Sequence, residues 1–210
     1  MTRIKICGIT REEDALRAAA LGADFLGFIF VPGTPRHIEP ERAAEIVASV
    51  RSQVGEPKFV GVFRDASADY IREIVSVAAL DLAQLHGSEN DEQIRDLGMP
   101  AVKTLRVSDA LPDTHATPNA AWLLFDTFDI RRSGGTGRRF DWSLLTAFDR
   151  NKPFFLSGGL TPENVALAIS VVRPDAIDLA SGVESEPGVK DHAKLAKLFE
   201  RVRGGQRAAD

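Results

Sequence analysis

Eight short apolar runs, nearly all followed by a stretch with helical spacing, constrain this chain more than anything else in it. The runs are Arg3–Cys7, Phe25–Phe30, Lys58–Phe63, Leu82–Leu85, Ala101–Leu105, Trp122–Asp126, Phe154–Ser157 and Ala176–Leu179. A continuous run such as Phe25-Leu26-Gly27-Phe28-Ile29-Phe30 suits a strand covered on both faces, as in a parallel sheet. The stretches between carry apolar stripes at helical spacing: Leu16, Ala19, Ala20 and Ala23, then Ala43, Ile46, Val47 and Val50, then Ile71, Ile74, Val75 and Ala78. Later stripes are Val165, Ala168, Ile169 and Val172, and Leu195, Leu198, Phe199 and Val202. Parallel strands joined by helices need right-handed crossovers. Eight such units without a composition break predict an α/β protein, one (β/α)8 TIM barrel over residues 1–210. Gly204-Gly205 is expected to end the last helix and leave about 204–210 as a flexible tail. A doubly wound open sheet is the competing fold. Against it, the first strand–helix turn, Cys7-Gly8-Ile9-Thr10, lacks G-x-G-x-x-G.

Local signals set the expected boundaries. Thr10-Arg11-Glu12-Glu13 reads as a capping box. Ser67 and Ser88 read as N-caps, Pro40 as a helix opener, and Gly98 as a stop. Thr161-Pro162 is expected to start one helix, and Asp141 to cap a short one bearing Leu144, Leu145 and Phe148. The last helix should run from about Lys190 to Arg203. Arg106–Ala121 holds Pro112 and Pro118 without a clear helical period, so the fifth helix should be short or degenerate.

Composition narrows the class. A net charge of -4 gives no support to a nucleic-acid binder. No apolar run approaches the ~18 residues needed to span a membrane, and the N-terminal residues lack the apolar centre of a signal peptide. One cysteine makes no internal disulfide, which fits a reducing cytoplasm. The four histidines are scattered, with no zinc-like spacing, so no metal or cofactor is expected.

Candidate chemistry sits at the strand ends, where barrels of this kind carry catalytic groups. Cys7 ends the first strand. Asp126 ends the sixth, after four apolar residues, where a carboxylate is costly to bury without a partner. It reads either as a cap or as one member of an acid–base pair with Cys7. Ser157-Gly158-Gly159-Leu160 and Ala180-Ser181-Gly182-Val183 follow the last two strands. They are either tight turns or, taken together, a phosphate site built from backbone N–H groups. Gly135-Thr136-Gly137, after the sixth strand, is a candidate lid over the same ligand. Lys5 shares a strand face with Cys7. It either favours the thiolate or pairs with a carboxylate of the barrel, Asp178 being the candidate. Arg36 is a solvated surface residue or a fork for a carboxylate or phosphate. His86 is read as a hydrogen-bonding residue rather than the base. His86 and Asp178 complete the residues expected to meet the substrate. Arg138 and Arg139 read as surface charges close to the lid.

The ordered set of motifs carries a resemblance. It comprises Lys5-Ile6-Cys7-Gly8-Ile9-Thr10, Gly27-Phe28-Ile29-Phe30 with Pro35-Arg36, Gln84-Leu85-His86-Gly87, and Gly135-Thr136-Gly137 with Phe140-Asp141-Trp142. Ser157-Gly158-Gly159-Leu160 with Pro162-Glu163-Asn164-Val165, and Ser181-Gly182-Val183-Glu184 with Pro187-Gly188-Val189-Lys190-Asp191, complete it. Over nearly its whole length the chain resembles phosphoribosylanthranilate isomerases of tryptophan biosynthesis. The resemblance implies a (β/α)8 barrel with a thin fifth helix and an Amadori rearrangement of N-(5-phosphoribosyl)anthranilate. It implies Cys7 as general base, Asp126 as general acid, Arg36 on the anthranilate carboxylate, and the two glycine loops on the phosphate. Thr34 stands where Ser is expected and Ala180 where Ser is commoner, which removes one hydroxyl near the phosphate. For this chemistry both groups should shift toward neutrality, the thiol down and the carboxylic acid up.

Two other functions compete: another phosphosugar isomerase on the same barrel, such as the one of histidine biosynthesis, and a non-catalytic phosphoribosyl-ligand sensor. The first typically uses paired aspartates, and Cys7 stands in place of one. The second has no need of an acid facing a base. The expected partner is a small phosphoribosyl substrate, with no nucleic acid and no membrane, and a monomer is favoured over a dimer.

Overall fold

The computed structural model describes residues 1–108, 110–126 and 142–207. Within them eight parallel strands close into a barrel in sequence order. They are β1 (Arg3–Cys7), β2 (Phe25–Ile29), β3 (Lys58–Phe63), β4 (Leu82–Leu85), β5 (Ala101–Arg106), β6 (Trp122–Asp126), β7 (Phe154–Ser157) and β8 (Ala176–Leu179). The helices are α1 (Glu12–Ala20), α2 (Pro40–Gln53), α3 (Ala68–Val77), α4 (Asp91–Asp96), α5 (Val165–Val172) and α6 (His192–Arg207). Trp142–Ala147 forms a short 3-10 helix between β6 and β7. No helix stands between β5 and β6 among the described residues, in line with the degenerate fifth helix expected there.

Strand alternation divides the core in two. Odd-facing side chains point outward and pack under the helices, as Ile6, Leu26, Phe28, Phe59 and Phe63 do. The inward set begins at the barrel floor with Phe25, Val60, Leu82, Val102, Leu124, Phe155 and Ala176, with Trp122 against them. Phe25, Trp122 and Phe155 meet edge-on or tilted at 4.8–5.9 Å between centroids. Above this floor several inward positions are polar: Lys5, Gln84, Thr104 and Asp178 are buried there, while β2 presents Gly27 and β3 Val62. Cys7, His86 and Asp126 stand at the strand ends that form the mouth. Period-two geometry thus places an apolar plug beneath a polar layer.

Several expected boundaries shift. The N-cap of α1 is Arg11, with no side-chain cap, and the Thr10 hydroxyl instead donates to the Gly188 carbonyl across the barrel closure. α1 buries Asp14, Ala15 and Ala18 fully, while Leu16 and Ala19 of the expected stripe are partly buried against the core; Asp14 accepts from the Lys190 N–H and meets His192. Ser88 is not a cap. Its hydroxyl donates to Asp65, and Asn90 with Gln93 forms the capping box of α4. Ser67 does cap α3. After β7 the helix begins at Val165, three residues beyond Pro162. Lys190 lies in a hairpin of β9 (Glu184–Glu186) and β10 (Val189–Lys190), which the sequence reading merged into the last helix. At its far end α6 runs through Gly204 and Gly205 to Arg207. A helical glycine keeps its N–H and costs only about 0.5–1 kcal/mol, too little to force a stop.

Candidate active site

Cys7 closes β1 with 5% of its surface exposed. Opposite it in register lies Gly27. A Cβ there would stand 2.8 Å from the Cys7 sulfur and 3.1 Å from the Lys5 Cε. The missing side chain makes the room in which thiol and ammonium sit together. Lys5 Nζ donates to Gln84 Oε1 at 2.6 Å and lies 3.1 Å from Asp178 Oδ1. The pairing reading of Lys5 holds, since it meets Asp178, and its side chain also faces the thiol. Burial alone would lower its pKa, but the Asp178 carboxylate and the Cys7 sulfur hold it above the ordinary value.

The expected downward shift of the thiol is corrected. Burial pushes Cys7 up, and the pull of Lys5 and Lys190 in the other direction does not overcome it. An isolated thiolate in an apolar wall loses its hydration, and Asp178 adds a repulsive charge.

Asp126 is half-buried across the mouth, with Oδ2 3.4 Å from His86 Nε2. His86 Nδ1 lies 3.4 Å from Gln84 Nε2 and 3.4 Å from Thr104 Oγ1. A chain of polar contacts thus runs from Cys7 past Lys5, Gln84 and His86 to Asp126. His86 is not beside the thiol, in keeping with its reading as a hydrogen-bonding residue.

Arg36 is not a free surface residue. Its Nε and Nη2 grip the buried Glu184 carboxylate at 2.9 and 2.6 Å, a bidentate pair. Glu184 Oε1 also accepts from Lys190 Nζ at 2.7 Å, and Lys190 Nζ donates to the Cys7 carbonyl at 2.6 Å. The arm of Arg36 crosses Gly8, whose φ of +72° already favours glycine and where a Cβ would sit 2.8 Å from Arg36 Cδ. Glu184, Lys190 and Gln84 were missed as functional residues. Their signal was polarity at inward or hairpin positions inside motifs otherwise apolar or glycine-rich.

The loops after β7 and β8 come together. Gly158 and Gly159 take positive φ of 93° and 63°. Asn164 fastens that loop, accepting from the Thr161 N–H and donating to the Gly159 carbonyl. Gly182 packs so closely on the Leu160 carbonyl that a Cβ would overlap it. Ser181 is exposed and opens a single 3-10 turn. Gly135, Thr136, Gly137, Arg138, Arg139 and Asp141 lie outside the described residues. The described residues hold no cluster of His, Cys, Asp and Glu that could bind a metal ion, and no helix among them is long and apolar enough to cross a membrane.

A buried thiol beside an ammonium, a carboxylate across the mouth and a braced arginine suit proton transfers on a small anionic substrate. Comparison with known proteins places the chain in a family. Residues 4–201 match the family described as N-(5'phosphoribosyl)anthranilate (PRA) isomerase. The chain is 44% identical to N-(5'-phosphoribosyl)anthranilate isomerase of Pseudomonas aeruginosa strain UCBPP-PA14 over 208 residues, covering 98% of this chain and 97% of that one. It is 39% identical, with a TM-score of 0.84, to monomers generated from the dimeric phosphoribosylanthranilate isomerase of Thermotoga maritima, covering 97% of this chain and 100% of that one. It is 38% identical, with a TM-score of 0.83 and the same coverages, to a phosphoribosylanthranilate isomerase solved with reduced 1-(o-carboxyphenylamino)-1-deoxyribulose 5-phosphate.

Proposed function

The chain belongs to the N-(5'-phosphoribosyl)anthranilate isomerase family, and we propose that Cys7 and Asp126 are the base and acid of that isomerisation. The reaction is the Amadori rearrangement of N-(5-phosphoribosyl)anthranilate to 1-(2-carboxyphenylamino)-1-deoxyribulose 5-phosphate in tryptophan biosynthesis. Asp126, protonated, gives its proton to the ribose ring oxygen, and the ring opens to a Schiff base. Cys7 as thiolate takes the proton from C2′. The resulting enolamine passes its hydroxyl proton to C1′ and becomes the ketone. Every proton lost by carbon or oxygen is regained within the product or by the enzyme.

The observation that carries this reading is the thiol and the carboxylate on inward positions of two strands at one barrel mouth. Lys5 is the charge that favours the thiolate against burial. Arg36, braced by Glu184, keeps guanidinium hydrogens for the anthranilate carboxylate. Gly158, Gly159, Ser181 and Gly182 take the phosphate. His86 and Asp178 line the path of the substrate. The residues of the chain form one catalytic domain that works as a monomer in the cytoplasm, where its lone thiol stays reduced. Few large apolar side chains are exposed among the described residues: Met1, Val54, Tyr70, Val77, Leu167 and Val171. The Thermotoga maritima relative is dimeric, so a dimer by analytical ultracentrifugation would overturn that part.

The test is a fluorescence assay that follows loss of the anthranilate substrate with the purified chain. Turnover is expected. No turnover with N-(5-phosphoribosyl)anthranilate would sink the reading.

A further inference from the structure

We propose that Gln84 is a positioning residue for the acid: its amide, held by Lys5, fixes His86 in the neutral tautomer that turns Nε2–H toward Asp126. The argument starts at Lys5. An ammonium only donates, so the Gln84 atom 2.6 Å from Lys5 Nζ is the amide oxygen. That settles the usual ambiguity between amide oxygen and nitrogen. The other end of the amide is then Nε2, a donor, and it faces His86 Nδ1 at 3.4 Å. Nδ1 must accept. Thr104 Oγ1, also 3.4 Å from Nδ1, sits 3.5 Å from Gln84 Nε2 and can take its hydrogen while giving its own to the ring. Gln84 Nε2, which only donates, therefore leaves the imidazole proton on Nε2, the nitrogen 3.4 Å from Asp126 Oδ2, and the Thr104 hydroxyl is compatible with that tautomer. The second nitrogen of a histidine is set by what the first one meets.

The consequence is directional. A fixed Nε2–H donor lies 3.4 Å from one oxygen of Asp126 and offers its hydrogen to that side of the carboxyl. The ammonium that faces the thiol of Cys7 thus also orders, through one side-chain amide, the carboxyl on the far side of the mouth. This rests on the reading of Asp126 as the acid, but the tautomer itself is a property of the resting protein.

The test is long-range nitrogen-15 NMR of the imidazoles in the whole protein, near pH ~8 where a free histidine is neutral. The protein has four histidines, and His86→Asn assigns the signal. The wild type should show His86 protonated on Nε2. Gln84→Glu keeps an acceptor for Lys5 but replaces the donor with an acceptor, so the proton should move onto Nδ1. The same variant should lose about tenfold in kcat with little change in KM, the scale for removing a group that orients a reacting one. A wild-type Nδ1–H tautomer, an unfixed mixture, or a Gln84→Glu spectrum and kcat equal to wild type would each overturn the proposal. The wild-type spectrum decides even if the variant fails to fold. Full activity of Asp126→Asn would instead remove the acid reading and leave the tautomer standing.

Discussion

Lys5 and Asp178 lie side by side where the first strand closes on the eighth, in register and with Nζ 3.1 Å from Oδ1. Neither group is exposed enough for water to replace its partner. One ion pair therefore serves the closure of the barrel and the electrostatics of the thiol above it.

Lys5→Met leaves Asp178 buried without its cation. Breaking a buried pair from one side costs about 3–5 kcal/mol, so the denaturant midpoint should fall sharply, and adding Asp178→Asn should recover part of it. The thiol should also titrate higher than in wild type. Cys7 is the only cysteine, so the pH dependence of iodoacetamide alkylation reads it directly. An unchanged thiol pKa in a folded Lys5→Met protein would remove Lys5 from the chemistry.

Cys7→Ala and Asp126→Asn should each lower kcat by about 10²–10⁴-fold. Thermal unfolding checks that both remain folded. Near wild-type turnover in either variant would end its assignment as base or acid.

Glu184→Gln tests the brace under Arg36. The substitution leaves Arg36 and Lys190 as two cations on a neutral amide. Arg36 should lose its fixed pose, and KM should rise by about tenfold, the order of one charge-assisted hydrogen bond. A rise in kcat/KM would contradict the role.

Gly27→Ala would put a methyl group 2.8 Å from the Cys7 sulfur and 3.1 Å from its Cα. The strand backbone does not yield as a flexible side chain would. The expected cost is about 1–3 kcal/mol of stability, together with loss of turnover from a displaced thiol. Wild-type kcat with an unchanged melting temperature would show that the space is not needed.

Stability should fall on the acid side because of Glu184 and Glu89. Burial alone would push both pKa values up, but Arg36 and Lys190 on Glu184, and Lys103 on Glu89 at 2.7 Å, hold them below the ordinary range. A folded pKa below the unfolded one gives stability that is complete above the unfolded value, about 4.3. That stability is lost as pH falls through the folded value. Urea midpoints measured from pH 7 downward should stay level and then drop below about pH 4.3. Glu89→Gln should flatten that drop, and a curve of unchanged slope would exclude the pair as its source.

Much of the site was legible in the chain because it is written locally. Cys7, Asp126 and the Gly158-Gly159 turn sit at the ends of apolar runs, and a run with its terminator is a short-range pattern. The thiol pKa was misjudged for the opposite reason. Its direction depends on how completely the barrel wall excludes water, which no neighbour in sequence reports. The capping errors at Thr10 and Ser88 have a similar source, since both hydroxyls found acceptors far along the chain, on Gly188 and Asp65.

By itself, then, the sequence determined the eight strands, the faces of most helices and which groups stand at the strand ends. Periodicity and chain connectivity force those outcomes before any long-range contact forms. Only the tertiary structure decided that Arg36 is braced by Glu184 148 residues away, and that Lys5 reaches Gln84 across 79 residues. Barrel closure chooses which buried charges meet. A buried charge must be paired where the fold happens to bring a partner.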